Sequence, residues 1–185
     1  MPTPATTPAA RYAGASIALH WLMAVLLAAT VATIEMKGLY PKGSALRDLL
    51  KTAHFMLGLS VFALVWVRLL ARSLSSTPPI LPAPPAWQAR LGHLVHGALY
   101  VLMIGLPLLG WLALSAKGKP VPLLWGLELP QLITESKETS HRLKDMHEAL
   151  ATAGYALVGL HAAAALVHHH LVRDNTLRRM LPGSR

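Results

Sequence analysis

Residues 147–170 read HEALATAGYALVGLHAAAALVHHH. From Ala149 to Val172 the chain holds no Asp, Glu, Lys or Arg, and a helix of about 20 such residues crosses a bilayer. His147 and His161 stand in the spacing H-x6-G-x6-H, with Gly154 midway. On an α-helix that spacing leaves the two histidines about 40° apart in azimuth and about 21 Å apart along the axis. They form one stripe, with Gly154 on it. The segment reads as a membrane helix offering two ligands to one interior, the missing side chain between them leaving room for bulky flat groups stacked along a bundle axis.

Three further stretches have the same character. Residues 15–34 and 53–71 are apolar, the second charged only at Arg68, and 91–116 is uncharged with Pro107 inside it, a residue expected to bend the helix. With 149–172 they make four spans in a chain of 185 residues, read as a single membrane domain over 1–185 with both termini on one side. The expected fold class is an all-α integral membrane protein, a four-helix bundle. A proline-rich connection, 75–85 (SSTPPILPAPP), reads as a stiff extended linker. The longest loop, 117–145, with Trp125 and both charge signs, is expected to cap one end. Arg11 before an apolar run also fits a cleaved leader, but that run is long for one and contains His20, so it is read as a retained span.

Composition agrees. Apolar residues make up 54% and charged residues 14%, well below the roughly 25% charged of a soluble domain. The formal charge of +9 comes from Lys and Arg flanking apolar runs, where they anchor at headgroups. No basic face with interleaved aromatics is present, which excludes nucleic acid as a partner and leaves the lipid bilayer. Lys and Arg divide almost evenly between the two sides, so their count does not orient the chain. Seven of the eight acids lie opposite the termini, which favours termini inside. Cysteine is absent, and with it disulfides, iron–sulfur clusters and covalently attached c-type haem.

Ten histidines remain, and a histidine within a span is costly unless it serves a function. Depth pairs four of them. His20 lies near the inner end of the first span and His54 near the outer end of the second, while the fourth span places His147 outward and His161 inward. Two bis-histidine haem sites follow, with His54 and His147 on the iron of an outer haem, His20 and His161 on that of an inner one. Arg68 shares the stripe of His54 and lies level with the inner site, suited either to an anionic haem propionate or to snorkelling toward headgroups. Lys51 and Lys144 each precede an outer ligand by three residues. They suit propionates, capture of an anionic substrate, or plain interfacial anchoring. His168 continues the stripe of His161 about 10 Å further inward, where it could donate to a quinone carbonyl. Its neighbours His169 and His170 point elsewhere, and the triplet also suits a stray metal. His93 and His96, near the inner end of the third span, are further quinone candidates.

The pair His20–Trp21, the segment RLLAR at 68–72, TPP at 77–79, His93–His96 and above all residues 147–170 with DNTLRRML after them resemble the bacterial cytochrome b561 family. The likeness runs from about Tyr12 to Leu181 and lies nearest to the superoxide oxidase type. It implies a bacterial inner-membrane protein with two haems b on the four histidines, and the balance of acids then puts both termini in the cytoplasm. It further implies oxidation of superoxide at the periplasmic face, with electrons passing to ubiquinone. The family's quinone-associated histidine falls on His168 and its lysine ahead of the fourth-helix ligand on Lys144; Lys51 corresponds less closely. Because the wider family includes cytochrome b subunits of hydrogenases and dehydrogenases, an electron-transfer subunit with a partner dehydrogenase is the competing expectation, with a homo-oligomer also open. A histidine-rich metal-binding membrane protein is the third; it explains the triplet better than it explains His20 and His54.

Overall fold

A computed structural model describes residues 11–123 and 127–183. Four long helices carry the fold: α1 (Gly14–Met36), α2 (Ala45–Ser73), α3 (Ala86–Ala116) and α4 (Lys137–Val167), the last continuing as a π-helical turn, His168–Val172. All four are long and apolar enough to cross a membrane. At 1.5 Å per residue each exceeds the roughly 30 Å of a bilayer's hydrocarbon core. Two short strands, β1 (Val121–Pro122) and β2 (Glu128–Leu129), pair antiparallel between α3 and α4.

Helices α2 and α4 overrun the spans expected from hydropathy, because their first turns are polar and held by caps. Ser44 Oγ accepts from the Arg47 amide at 3.4 Å, with Asp48 in the first turn of α2. Ser136 Oγ accepts from the Thr139 amide at 3.2 Å, with Glu138 in the first turn of α4. Both arrangements satisfy free amides and oppose the helix dipole. The expected loop over 117–145 is therefore shorter, since α4 claims it from Lys137 onward; Trp125 lies outside the described residues. What remains of it does cap one end. Trp111 Nε1 donates to Pro130 O at 3.0 Å, Leu132 N to Ser115 Oγ at 3.3 Å and Ser140 Oγ to Ala113 O at 2.9 Å. Helix α3 runs unbroken through Pro107.

Packing is most extensive between α1 and α2 and between α3 and α4, with α2 against α3 joining the pairs. A small core of Met23, Val61 and Val65, flanked by Leu26, Leu27, Leu64, Tyr100, Met103 and Ile104, sits at mid-depth. Large apolar side chains such as Val25, Trp66, Val101 and Leu160 point outward, as expected where hydrocarbon is the solvent. At the opposite end from the β pair, the segment before α1 meets the one that follows α4. Tyr12 N donates to Arg179 O at 3.3 Å and Trp21 Nε1 to Met180 O at 2.7 Å. The tail also binds the proline-rich connection, which is thus an attachment surface as well as a linker. Asn175 accepts from Leu81 N at 2.8 Å and donates to Pro79 O at 3.3 Å, and Arg179 donates to Pro78 O.

Candidate functional site

The four depth-selected histidines meet in the two pairs that depth selects. His54 on α2 faces His147 on α4 with ring centres 6.3 Å apart and planes at 78°. His20 on α1 faces His161 on α4, also at 6.3 Å, with planes at 68°. A metal–imidazole bond is about 2.0 Å and a ring centre lies about 1.1 Å behind its ligating nitrogen, so two rings on opposite sides of one metal have centres about 6.2 Å apart. Both pairs have a spacing that would suit two imidazoles sharing one metal.

Hydrogen bonds fit the outer pair to that role. His54 Nδ1 lies 3.0 Å from Thr30 O and His147 Nδ1 2.9 Å from Leu106 O. A carbonyl only accepts, so each Nδ1 carries the proton and donates it, leaving the Nε2 lone pair for a metal. Gly110 completes this corner. A Cβ there would stand 3.5 Å from His147 Cε1, so α3 presents bare backbone to the imidazole.

The inner pair is held differently. Arg68 turns into the bundle instead of reaching for headgroups: its Nη1 donates to Ser16 O at 3.3 Å and its Nη2 to His20 Nδ1 at 3.1 Å. Guanidinium cannot accept, so His20 Nδ1 does, which puts the ring proton on Nε2. Ligation by His20 through Nε2 therefore requires Arg68 to release that ring and take another acceptor. His96 stands beside this pair, its ring centre 5.3 Å from that of His161, whereas His93 is exposed. Gly154 is buried against Leu102 and Leu106 of α3, a Cβ there meeting Leu102 Cδ1 at 3.5 Å. Gly154 thus has room for ordinary contact with α3, a neighbour that the helical stripe alone did not disclose.

Lys51 and Lys144 lie at the outer end, each tied to an acid: Lys51 to Asp48 at 2.6 Å and Lys144 to Glu148 at 2.7 Å. Lys37 is within electrostatic reach of Arg47, Lys51 and Lys144, and Asp48 within reach of Arg47 and Lys119. The basic residues of separate segments therefore gather at one end of the bundle, where Arg47 also donates to Lys37 O at 2.9 Å. At the inner end His168 Nδ1 meets Asp174 Oδ2 at 2.5 Å. Among the described residues no three His, Asp or Glu side chains form a metal-holding group.

This chemistry matches known proteins. Residues 11–183 fit the family model described as prokaryotic cytochrome b561. The chain belongs to the prokaryotic cytochrome b561 family. It is 38% identical over 172 residues to cytochrome b561 homolog 1 of Escherichia coli (strain K12), covering 93% of this chain and 97% of that one. A protein of Yersinia pestis named probable superoxide oxidase CybB is 34% identical over 175 residues, 95% and 98% of the two chains. Cytochrome b561 homolog 2 of E. coli (strain K12) is 30% identical over 181 residues, 92% and 91%. Membership makes the chain a membrane electron-transfer cytochrome that binds haem b.

Four neighbours of these histidines escaped sequence reading. The carbonyls of Thr30 and Leu106 give no signal, since every residue has one. Gly110 differs from the other glycines of α3 only in what α4 brings against it. Asp174 did carry a signal: it is the one acid on the side of the termini.

Proposed function

We propose that this cytochrome carries electrons from superoxide at the outer, periplasmic face to ubiquinone at the inner face of the bacterial cytoplasmic membrane, both termini lying in the cytoplasm. Two haems b are held in succession, the outer by His54 and His147 and the inner by His20 and His161. When bound, they supply one-electron redox chemistry at two depths of the bilayer. Two superoxide anions become two molecules of dioxygen, and one ubiquinone takes up the two electrons with two protons to become the quinol.

The observation that carries the reading is the gathering of Lys37, Arg47, Lys51, Lys119 and Lys144 at the end of the bundle where His54 and His147 face each other. Superoxide is an anion, and a cationic mouth raises its local concentration and its rate of capture. Asp48 and Glu148 hold the Lys51 and Lys144 ammonium groups in place and temper the field. The name of the Yersinia pestis relative points the same way. At the inner end His168, half-buried one helical stretch beyond His161, is the donor to a quinone carbonyl, with His96 beside the inner pair.

The test is to add superoxide to the oxidised, purified holoprotein with and without a soluble ubiquinone. Superoxide should reduce the haems, and quinone should reoxidise them. Haems that ignore superoxide would refute this reading and favour an electron-transfer subunit fed by a partner dehydrogenase.

A further inference from the structure

The inner end contains a built contact that the electron path does not require. After α4 the helix widens into the π-helical turn His168–Val172, and Arg173 takes a left-handed conformation at φ 60°. Those two features fold the chain back under its own helix. Asp174 N then donates to His168 O at 3.1 Å, and Asp174 Oδ2 meets His168 Nδ1 at 2.5 Å. The carboxylate is 1% exposed, and its other oxygen accepts from the Thr176 amide at 2.8 Å. A non-glycine residue at positive φ and a buried carboxylate are both costly. Here both serve to bring one acid against one histidine.

We propose that Asp174 is a positioning residue of the quinone-reducing end, holding His168 through Nδ1 so that the proton exchanged with quinone is the one on Nε2; this rests on the quinone reading above. With the carboxylate accepting at Nδ1, that nitrogen remains a donor whether the ring is charged or neutral. The charged ring presents Nε2–H to the quinone carbonyl. On reduction that N–H bond breaks and an O–H bond forms on the reduced oxygen. The ring is left neutral, still held at Nδ1, with Nε2 free to take the next proton from cytoplasmic water. Asp174 keeps its charge throughout, orienting the ring as a buried aspartate orients a catalytic histidine elsewhere. The tail is therefore part of the site. Asn175 and Arg179 fasten the segment carrying Asp174 to the 75–85 connection, and Trp21 and Tyr12 fasten it to the start of α1.

The experiment separates this step from superoxide. Holoprotein is reduced chemically without oxygen, freed of reductant and mixed with a short-chain ubiquinone, and haem reoxidation is followed by stopped flow. Asp174→Asn, whose amide can turn its NH2 toward Nδ1 and favour the wrong tautomer, should slow reoxidation at saturating quinone by about tenfold or more. Its haem content and spectrum should remain those of the wild type, and Asp174→Glu should recover most of the rate. An Asp174→Asn protein as fast as the wild type would overturn the assignment. So would a loss of rate that comes only with loss of haem and that Glu does not recover, since the role would then be structural. A wild-type protein that ubiquinone fails to reoxidise would instead overturn the quinone reading, and this assignment with it.

Discussion

His54 and His147 come from different halves of the sequence, yet each gives its Nδ1 proton to the backbone of a neighbouring helix, His54 to Thr30 of α1 and His147 to Leu106 of α3. All four helices thus contribute to one pair of imidazoles. With Nδ1 engaged in this way, each ring keeps its Nε2 lone pair free, and the backbone holds the ring before any metal binds.

Removing either ring should therefore remove one haem and leave the other. His147→Ala should reduce the haem content of the purified protein from two per chain to one, with the remaining haem still reducible. Loss of both haems would mean that the sites are not independent.

Gly110 should be sensitive to size. A Cβ at this position makes ordinary contact with the His147 ring, so Gly110→Ala should bind haem as the wild type does. Gly110→Leu has no room without moving the imidazole, and overpacking of this kind costs about 1–3 kcal/mol. Its outer haem should be lost or become high-spin, which an absorption spectrum would show. A normal spectrum for the leucine variant would show that α3 yields easily here.

Superoxide capture should depend on charge. Lys144→Glu reverses the sign of a side chain that is 58% exposed at the mouth, and the superoxide-driven rate should fall several-fold while chemical reduction of the haems is unchanged. Salt should lower the wild-type rate through the same screening, because the Debye length is about 8 Å at physiological ionic strength. If neither the reversal nor salt alters the rate, Lys144 has no part in capture.

Acid should loosen the tail. Burial raises the Asp174 carboxyl, but hydrogen bonds from His168 and Thr176 outweigh it and hold the group below the ordinary carboxylate range. A depressed carboxyl stabilises the folded form above its unfolded value, about 3.9, and that stabilisation is lost as pH falls through the folded value. Hydrogen exchange at the Thr176 amide, corrected for intrinsic rates, should lose protection below about pH 4. Protection that persists to lower pH, or an equal loss in Asp174→Asn, would remove the carboxylate as its cause.

Much of this arrangement was legible in the sequence because membranes make periodicity costly to violate. Histidines at His20, His54, His147 and His161 cannot lie idle in hydrocarbon, and their depths admit one pairing. The helix ends were less legible, since Ser44 and Ser136 extend α2 and α4 through polar residues that hydropathy assigns to loops. The rotation of individual side chains was not legible. Arg68 lies on the expected stripe, but only packing shows it bonded to His20 and Ser16. Gly154 lies on the ligand stripe and yet meets α3. Asp174 reaches His168 only because the chain reverses at Arg173, and no spacing rule encodes that turn.

The most direct test of the central claim is haem stoichiometry, measured with an anaerobic reduced-minus-oxidised spectrum of the detergent-purified protein. Two low-spin haems b per chain are expected, one for each histidine pair. One haem would contradict the claim that both pairs are ligand sets, and a chain purified without any would contradict it entirely.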